Sequence, residues 1–304
     1  MKSSDIRRGF WITFFVLPGI AIVTTFILLP LFISLFNSFF DWKQLIRNDF
    51  VGLGNFKKIF FEFPYKERFF NAMGNNVRWL VITLLVQNSL GLLFGYVLSR
   101  RIPGHGIFKR VFFIPVLFSL VAVGFLWGLY LKPNGLVNEF LKLIGLASLV
   151  NPWLGDPRTA TITIILVNIW RWVGFPSLVF LAAVDAVPGD CIEAAYLDGV
   201  GELRLFRSVI LPLIVPSITV VSVLTIIGSL NVFEQIYVMA GLDGGPYFST
   251  DTIGTLFYRT AFGSVDSGNP AIGIGSAIGV IIYLATFLVS IAVIAISRTR
   301  EVEL

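Results

Sequence analysis

Glu193 to Pro212 reads EAAYLDGVGELRLFRSVILP, a polar island in the apolar second half of the chain. Glu193, Asp198, Glu202, Arg204 and Arg207 all fall inside it. Pro188 and Gly189 end the apolar run before it, and Asp190 followed by Glu193 predicts a capping-box opening to a short helix. Gly199 is the expected left-handed terminator about two turns on. Ala194 and Ala195 give that helix a small-side-chain face that another backbone could approach closely. From Glu202 to Val209, Leu203, Phe206 and Val209 recur at helical spacing beside Arg204 and Arg207. This predicts a second short helix, ended by Pro212.

The surroundings of the island are those of a membrane protein. Of the 304 residues 56% are hydrophobic and only 13% charged, against roughly 25% charged in a soluble domain. Mean hydropathy is +0.84. The net charge of +5 is scattered through short loops and forms no basic stripe, so nucleic acid is excluded as a partner. Cys191 is the single cysteine and His105 the single histidine, which removes internal disulfides, cysteine metal clusters and most histidine chemistry. No Gly-x4-Gly-Lys-Ser/Thr stretch occurs, so the chain carries no phosphate-cradling loop of its own.

A crossing helix needs about 20 mostly apolar residues, because lipid offers no partner to unsatisfied backbone groups. Six stretches qualify: Trp11 to Phe36, Trp79 to Leu98, Val111 to Leu131, Ala160 to Val184, Leu213 to Ile236 and Ile272 to Ser297. The fold expected is therefore all-α, a polytopic membrane protein with six transmembrane helices. Pro18, Pro30, Pro115 and Pro176 predict local kinks. The charge-free run from Gly9 to Phe40 is too long for a cleaved signal core and should remain as an anchor. Glycines at 273, 275 and 279 give the last span a close-packing face.

An even number of spans puts both termini on one side. Lys2, Arg7, Arg8, Arg100, Arg101, Lys109, Arg110, Arg204, Arg207, Arg298 and Arg300 fall on that side, and nearly as many basic residues fall on the other. Density at the helix ends decides: Arg100, Arg101, Lys109 and Arg110 crowd one short loop, whereas Tyr237 to Ala271 holds only Arg259. The positive-inside rule then makes both termini cytoplasmic, and with them the Glu193 to Pro212 island.

The spacing of that island, Glu-Ala-Ala, three residues, Gly199, nine residues, then Val209-Ile210-Leu211-Pro212, resembles the signature loop of binding-protein-dependent ABC importer permeases. Val209 stands where the family usually has isoleucine. FVGLGNFKKIFF, Phe50 to Phe61, resembles the family's first outer-loop motif. VNIWRWVGFPSLVFLAAVDAVP, Val167 to Pro188, and GLDGGPYFSTDTIGTLFYRTAF, Gly241 to Phe262, are similar to the carbohydrate-importing, maltose-type branch. The resemblance implies a type I importer architecture: one permease domain over residues 1–304, with a core at 75–297 and a coupling loop at 185–212. The coupling helix, between spans four and five, would dock in a groove of an ATPase subunit. Glu193 would make the polar contact, Ala194 and Ala195 would permit close docking, and Asp198 and Gly199 match the same motif. Implied partners are a second homologous permease, two ATPase subunits that use ATP and Mg, an extracytoplasmic sugar-binding protein, the sugar and membrane lipid. The location implied is a bacterial or archaeal plasma membrane. The chain itself would hold no cofactor or metal and perform no covalent chemistry.

A sugar path needs hydroxyl-matching polar groups beside aromatic faces. Asn168, Arg171 and Trp172 share one helical face of the fourth span. Ser229, Asn231, Val232, Phe233 and Glu234 occupy the outer half of the fifth. The resemblance places the positions of Asn168, Arg171, Trp172, Ser229, Val232 and Glu234 around the sugar. Arg171 is the one charge well inside a span. Burying it at mid-bilayer costs about 2.5 to 3.5 kcal/mol on the insertion scale, so it should face a wet cavity or pair with an acid, Glu234 being the candidate. Locking spans four and five by that pair is one role for Arg171; holding substrate hydroxyls or an acid group is the other. Gln87 and Asn88 are weaker candidates that could simply bond across helices. A permease for a non-sugar or anionic solute, such as glycerol-phosphate or a sugar acid, is the alternative cargo class. A secondary transporter would call for a mid-membrane titratable site or inverted repeat, and an intramembrane enzyme for paired catalytic groups; neither pattern occurs.

Overall fold

In the computed structural model, residues 3–43, 45–263 and 269–298 are described. Lys2 and Arg300, which count toward the orientation, lie outside them. The contacts divide the chain into two compact units, Met1–Lys66 with Phe257–Ile281 and Glu67–Leu256 with Ile282–Leu304.

The chain begins with α1 (Ser3–Val23), which passes through one π-helical turn, Thr24–Leu28, into α2 (Leu29–Asn37). Pro18 and Pro30 leave the run from Trp11 to Asn37 continuous. Pro30 has no N–H to give, and the turn before it widens so that Leu29 donates to the Thr24 carbonyl. A π-turn of this kind relieves the clash without ending the helix. No residue of that helix window is buried, so an apolar rod is left facing lipid or another chain. A small antiparallel hairpin follows, β1 (Phe40–Lys43) with β2 (Ile46–Phe50), and then α3 (Gly54–Phe61). These are additions to an otherwise helical chain. Asn55 on α3 is fully buried and donates to the Ser38 and Phe40 carbonyls at 2.9 and 2.8 Å.

The second span is longer than expected. It starts at Tyr65 rather than Trp79, as α4 (Tyr65–Ile82), a π-turn and α5 (Asn88–Ser99), forming one helix from Tyr65 to Ser99. The third is no single rod: α6 (His105–Leu117) and α7 (Leu120–Tyr130) meet at 100°. Pro115 precedes the corner, and Ser119 caps the new helix by accepting from the Ala122 N–H at 3.2 Å. After the short α8 (Leu136–Leu143), the fourth span bends by 43° between α9 (Ala160–Trp172) and α10 (Gly174–Asp185).

The connector holds α11 (Gly189–Leu197), α12 (Glu202–Leu205), a π-turn at Phe206–Ile210 and α13 (Leu211–Leu213). The helix ends at Leu213, one residue past Pro212 and before the fifth stretch, close to where it was expected to end. Leu211 donates to the Phe206 carbonyl, the accommodation already met at Pro30, and the 72° break falls after Leu213. Pro216 then stands in the first turn of α14 (Val215–Leu230), where its missing N–H costs nothing. The fifth stretch is broken again, at 231–233, before α15 (Glu234–Ala240). The chain closes with α16 (Ile253–Phe262) and α17 (Ile272–Arg298). Gly275 of α17 lies where a Cβ would sit 2.6 Å from that of Ala261, and Gly279 where one would press on the Phe257 ring, so the small-residue face of the last span is used. Among the described residues, three helices are long and apolar enough to cross a membrane, or up to six if each bent pair is one crossing.

Within the larger unit the tightest helix pair is α5 on α10. A Cβ on Gly95 would lie 2.8 Å from the Leu181 nitrogen and the Phe180 Cβ, and one on Gly91 2.8 Å from the Pro176 ring. Backbone cannot yield as a flexible side chain can, so Gly95→Val should lower thermal stability by about 1 to 3 kcal/mol. A Cβ at Gly19 would meet nothing within 4 Å, so Gly19→Val should leave the melting temperature of the detergent-solubilised chain nearly unchanged. Equal melting temperatures for the two variants would contradict the packing described.

Candidate functional site

The break at 231–233 builds the site. Asn231 still donates its N–H to the Ile227 carbonyl at 3.2 Å, and Phe233, at φ −138° and ψ −61°, turns the chain out of the helix. Three carbonyls thereby lose their helical partners and find side chains instead. Asn76 Nδ2 donates to the Ser229 and Leu230 carbonyls at 2.8 and 3.1 Å, and Thr252 Oγ1 donates to the Val232 carbonyl at 2.8 Å. Asn76 Oδ1 in turn accepts the Ile253 N–H at 2.8 Å. Its neighbour Asn75 donates to the Ser249 and Asp251 carbonyls at 2.7 and 2.8 Å. Both asparagines are essentially solvent-free. Unpaired, such buried groups would each cost about 1 to 3 kcal/mol; paired, they fix a non-helical backbone.

Against this break lies a cavity of about 620 Å³, within the range that encloses small ligands. It brings together every residue of the expected substrate set: Asn168, Arg171 and Trp172 from the last turn of α9, Ser229 at the end of α14, Asn231, Val232 and Phe233 in the break, and Glu234 at the first position of α15. Trp79 and Thr83 of the long second helix, which sequence reading missed, form the floor of the site with Gln87, one of the two weaker candidates. Thr83 and Ser229 hydroxyls are hydrogen-bonded at 2.9 Å. Gln87 and Gln235 each present a buried Oε1 with no hydrogen-bond partner. The only cue to these was an amide or hydroxyl inside an apolar window. Asn88 points elsewhere, its Oδ1 accepting from Thr225 at 3.1 Å.

Arg171 forms no ion pair with Glu234, although both line the cavity. Its Nη2 donates to the Phe118 carbonyl at 3.2 Å, its guanidinium lies 5.1 Å from the Trp172 ring centre, and its Nε is buried without a partner. Phe118 is the last residue before the 100° corner between α6 and α7. Arg171 therefore pins that corner with one nitrogen and keeps others for the cavity. The site combines one cation, one carboxylate, open amide oxygens and aromatic faces. It can bind and orient a polyhydroxylated solute.

The connector forms a second, separate surface. On α11 Glu193, Ala194, Tyr196, Leu197 and Asp198 are exposed, Leu197 by 90%. Ala195, expected beside Ala194 on a docking face, points inward and packs with Val184, Val187, Leu205, Ile210 and Ile214. The helical period puts 192 and 195 on one stripe and 193, 194 and 197 on the other. The capping box does not form. Pro188 is the N-cap and no side chain bonds there; Asp190 sits inside the first turn, where it favours the helix through its dipole alone. Gly199 terminates the helix at φ +73°, and Val200 donates back to the Ala195 carbonyl at 3.0 Å.

Residues 87–301 match the family described as "Binding-protein-dependent transport system inner membrane component". The chain is 30% identical over 293 residues to the probable ABC transporter permease protein YurN of Bacillus subtilis (strain 168), covering 95% of this chain and 96% of that one. It is 31% identical over 303 residues to the trehalose/maltose transport system permease protein MalF of Thermococcus litoralis, covering 99% and 97%. A chain of the crystal structure of a bacterial ABC transporter involved in the import of the acidic polysaccharide alginate has the same fold, with a TM-score of 0.81, 26% identity and coverage of 97% and 98%. With its broken spans, its cavity and its polar connector, this chain belongs to the family of binding-protein-dependent ABC transporter permeases.

Proposed function

We propose that residues 1–304 act as one permease domain that carries a sugar or oligosaccharide across a bacterial or archaeal plasma membrane, as a subunit of an ATP-driven importer. Trp11–Asn37, Tyr65–Ser99 and Ile272–Ile296 are three crossings, and the bent pairs α6–α7 and α9–α10, with α14, supply the other three. Both termini and the connector face the cytoplasm. The partners are a second permease of the same family, two ATPase subunits that use ATP and Mg, and an extracytoplasmic binding protein that delivers the cargo. Relatives named for trehalose and maltose, for multiple sugars and for lactose support the substrate class. So does the solved alginate importer in complex with its pentasaccharide-bound periplasmic protein.

The observation that carries this reading is the cavity at the 231–233 break. Asn168, Asn231, Gln87 and Gln235 match sugar hydroxyls, Trp172 matches the apolar face of a sugar ring, and nothing in the set is arranged for bond-making. Helix α11 is the coupling element. Its outer stripe, Glu193, Ala194 and Asp198, meets the ATPase, while Ala195 on the inner stripe ties it to the permease core. Closure of the ATPases would move α11, rock the spans and turn the cavity from one side to the other.

A second reading concerns cargo charge. Arg171 lines the cavity and forms no ion pair with Glu234, which suits a saccharide bearing a carboxylate. On that reading Arg171→Gln lowers uptake of an acid-bearing oligosaccharide about tenfold or more, the worth of a charged hydrogen bond, and spares a neutral one. Uptake assays in vesicles holding the whole complex decide it; equal effects on both cargoes would contradict the acidic reading, and no effect on either would contradict the site.

Glu193 is exposed and makes no hydrogen bond or ion pair to another described residue. Glu193→Ala should therefore alter the thermal stability of the isolated chain by less than about 0.5 kcal/mol while sharply reducing co-purification of the ATPase subunits. Undiminished ATPase recovery would contradict the docking role.

A further inference from the structure

One side chain in the connector gathers three hydrogen bonds although it is largely solvent-exposed. Glu202 opens α12. Its Oε2 accepts from Arg100 Nη2 at 2.6 Å and from the Tyr96 hydroxyl at 2.8 Å, and its Oε1 accepts from the Tyr196 hydroxyl at 2.7 Å. Arg100 Nη2 also donates to the Tyr96 hydroxyl at 2.7 Å, and its guanidinium sits 4.9 Å from the Tyr96 ring centre. Phe206 closes the other side of that ring at 4.7 Å between centroids. Tyr96 and Arg100 belong to the end of the long second helix, Tyr196 to α11, and Glu202 and Phe206 to the helix leading into α14. Three parts of the chain therefore meet on one carboxylate.

Surface ion pairs are usually worth little, since two long side chains lose their freedom for a screened attraction. This one differs in geometry. Two tyrosine rings, each with few rotatable bonds, aim their hydroxyls at the carboxylate from different elements, and the arginine is held to one of them by a hydrogen bond to its hydroxyl. Beneath the cluster, Ala195, Leu205, Ile210 and Val184 form the apolar contact. That contact is non-directional and would let α11 slide or rock over it. The bonds to Glu202 are directional, and among the described residues they are the polar ties between α11 and the second helix.

We propose that Glu202 is a positioning residue that latches the coupling helix, through Tyr196, to Arg100 and Tyr96 at the end of the second span. This rests on the reading of α11 as the ATPase-docking element and adds a route to it. Motion given to the outer stripe of α11 passes through Tyr196 and Glu202 to the helix that forms the floor of the cavity with Trp79, Thr83 and Gln87. Without the latch α11 would still be gripped, but its movement would be taken up in the loop at Gly199 and Gly201.

The test uses the complete complex with its binding protein, reconstituted in vesicles, and measures cargo taken up per ATP hydrolysed. Glu202→Gln keeps the shape and loses the charge; Tyr196→Phe keeps the ring and loses one hydroxyl, so at least one variant is mild enough to fold. Both should retain the ATPase subunits and hydrolyse ATP, while uptake per ATP falls at least about fivefold, the low end of a typical coupling energy. The double variant should fall no further than the worse single one, as expected for residues acting through one contact. Glu202→Asp should recover part of the loss. An unchanged ratio in both single variants overturns the latch. Loss of the ATPase subunits from Tyr196→Phe also overturns it, because the cluster would then shape the docking surface and not transmit from it. Failure of the underlying coupling reading would show separately, in the unsubstituted complex, as an ATPase that assembles without contact to α11.

Discussion

A backbone inside hydrocarbon must find every hydrogen-bond partner within the protein, and this structure is organised around the place where a helix stops obeying that rule by itself. At 231–233 the fifth span lets go of its carbonyls. Asn76 and Thr252 take them up, and Asn75 does the same for the chain at Ser249 and Asp251. Asn168, Glu234 and Gln87 then line the cavity, together with Arg171, Asn231 and Gln235, each of which also gives one bond to the fold.

The bent spans follow from the same constraint. Pro30 and Pro212 are each absorbed by a π-turn that hands the missing bond one residue back, so those helices stay intact. At Phe118 the chain turns through 100°, and the exposed carbonyl is met by Arg171. One arginine thus serves the architecture with Nη2 while its buried Nε remains open. Arg171 is thus tied to the fold through a backbone carbonyl and not through Glu234.

What could be read from the sequence tracks how each signal is encoded. Apolar length is a one-dimensional property, so six stretches could be marked, and polar residues inside those stretches had few places to go but a cavity. The residues expected around the sugar line one cavity, but most of that set came from the resemblance and not from the composition of the spans. Bends could not be read. A proline announces a lost bond but not whether a π-turn, a corner or a new helix start will answer it: Pro30 lies in a continuous helix, whereas a 100° corner follows Pro115 and a 72° break follows Pro212. The extension of the second helix back to Tyr65 was hidden because Lys66, Glu67, Arg68 and Arg78 read as loop. Asn75 and Asn76, on that hidden stretch, could not be placed. Asp190 had the right spacing for a cap, but Pro188 already occupied the cap position. Ala195 was misassigned to the outer face because two adjacent alanines look alike in sequence and opposite on a helix.

The account depends on α11 being a lever with two sides, one buried in the permease through Ala195 and one offered outward through Leu197. The most direct measurement is cross-linking in the assembled transporter. Cys191, the single cysteine, would be replaced by serine, and Leu197→Cys would carry a short bifunctional reagent. The account predicts a covalent permease–ATPase product whose yield changes when ATP is bound. A residue 197 that stays freely reactive to soluble thiol reagents in the intact complex, with no such product, would contradict it.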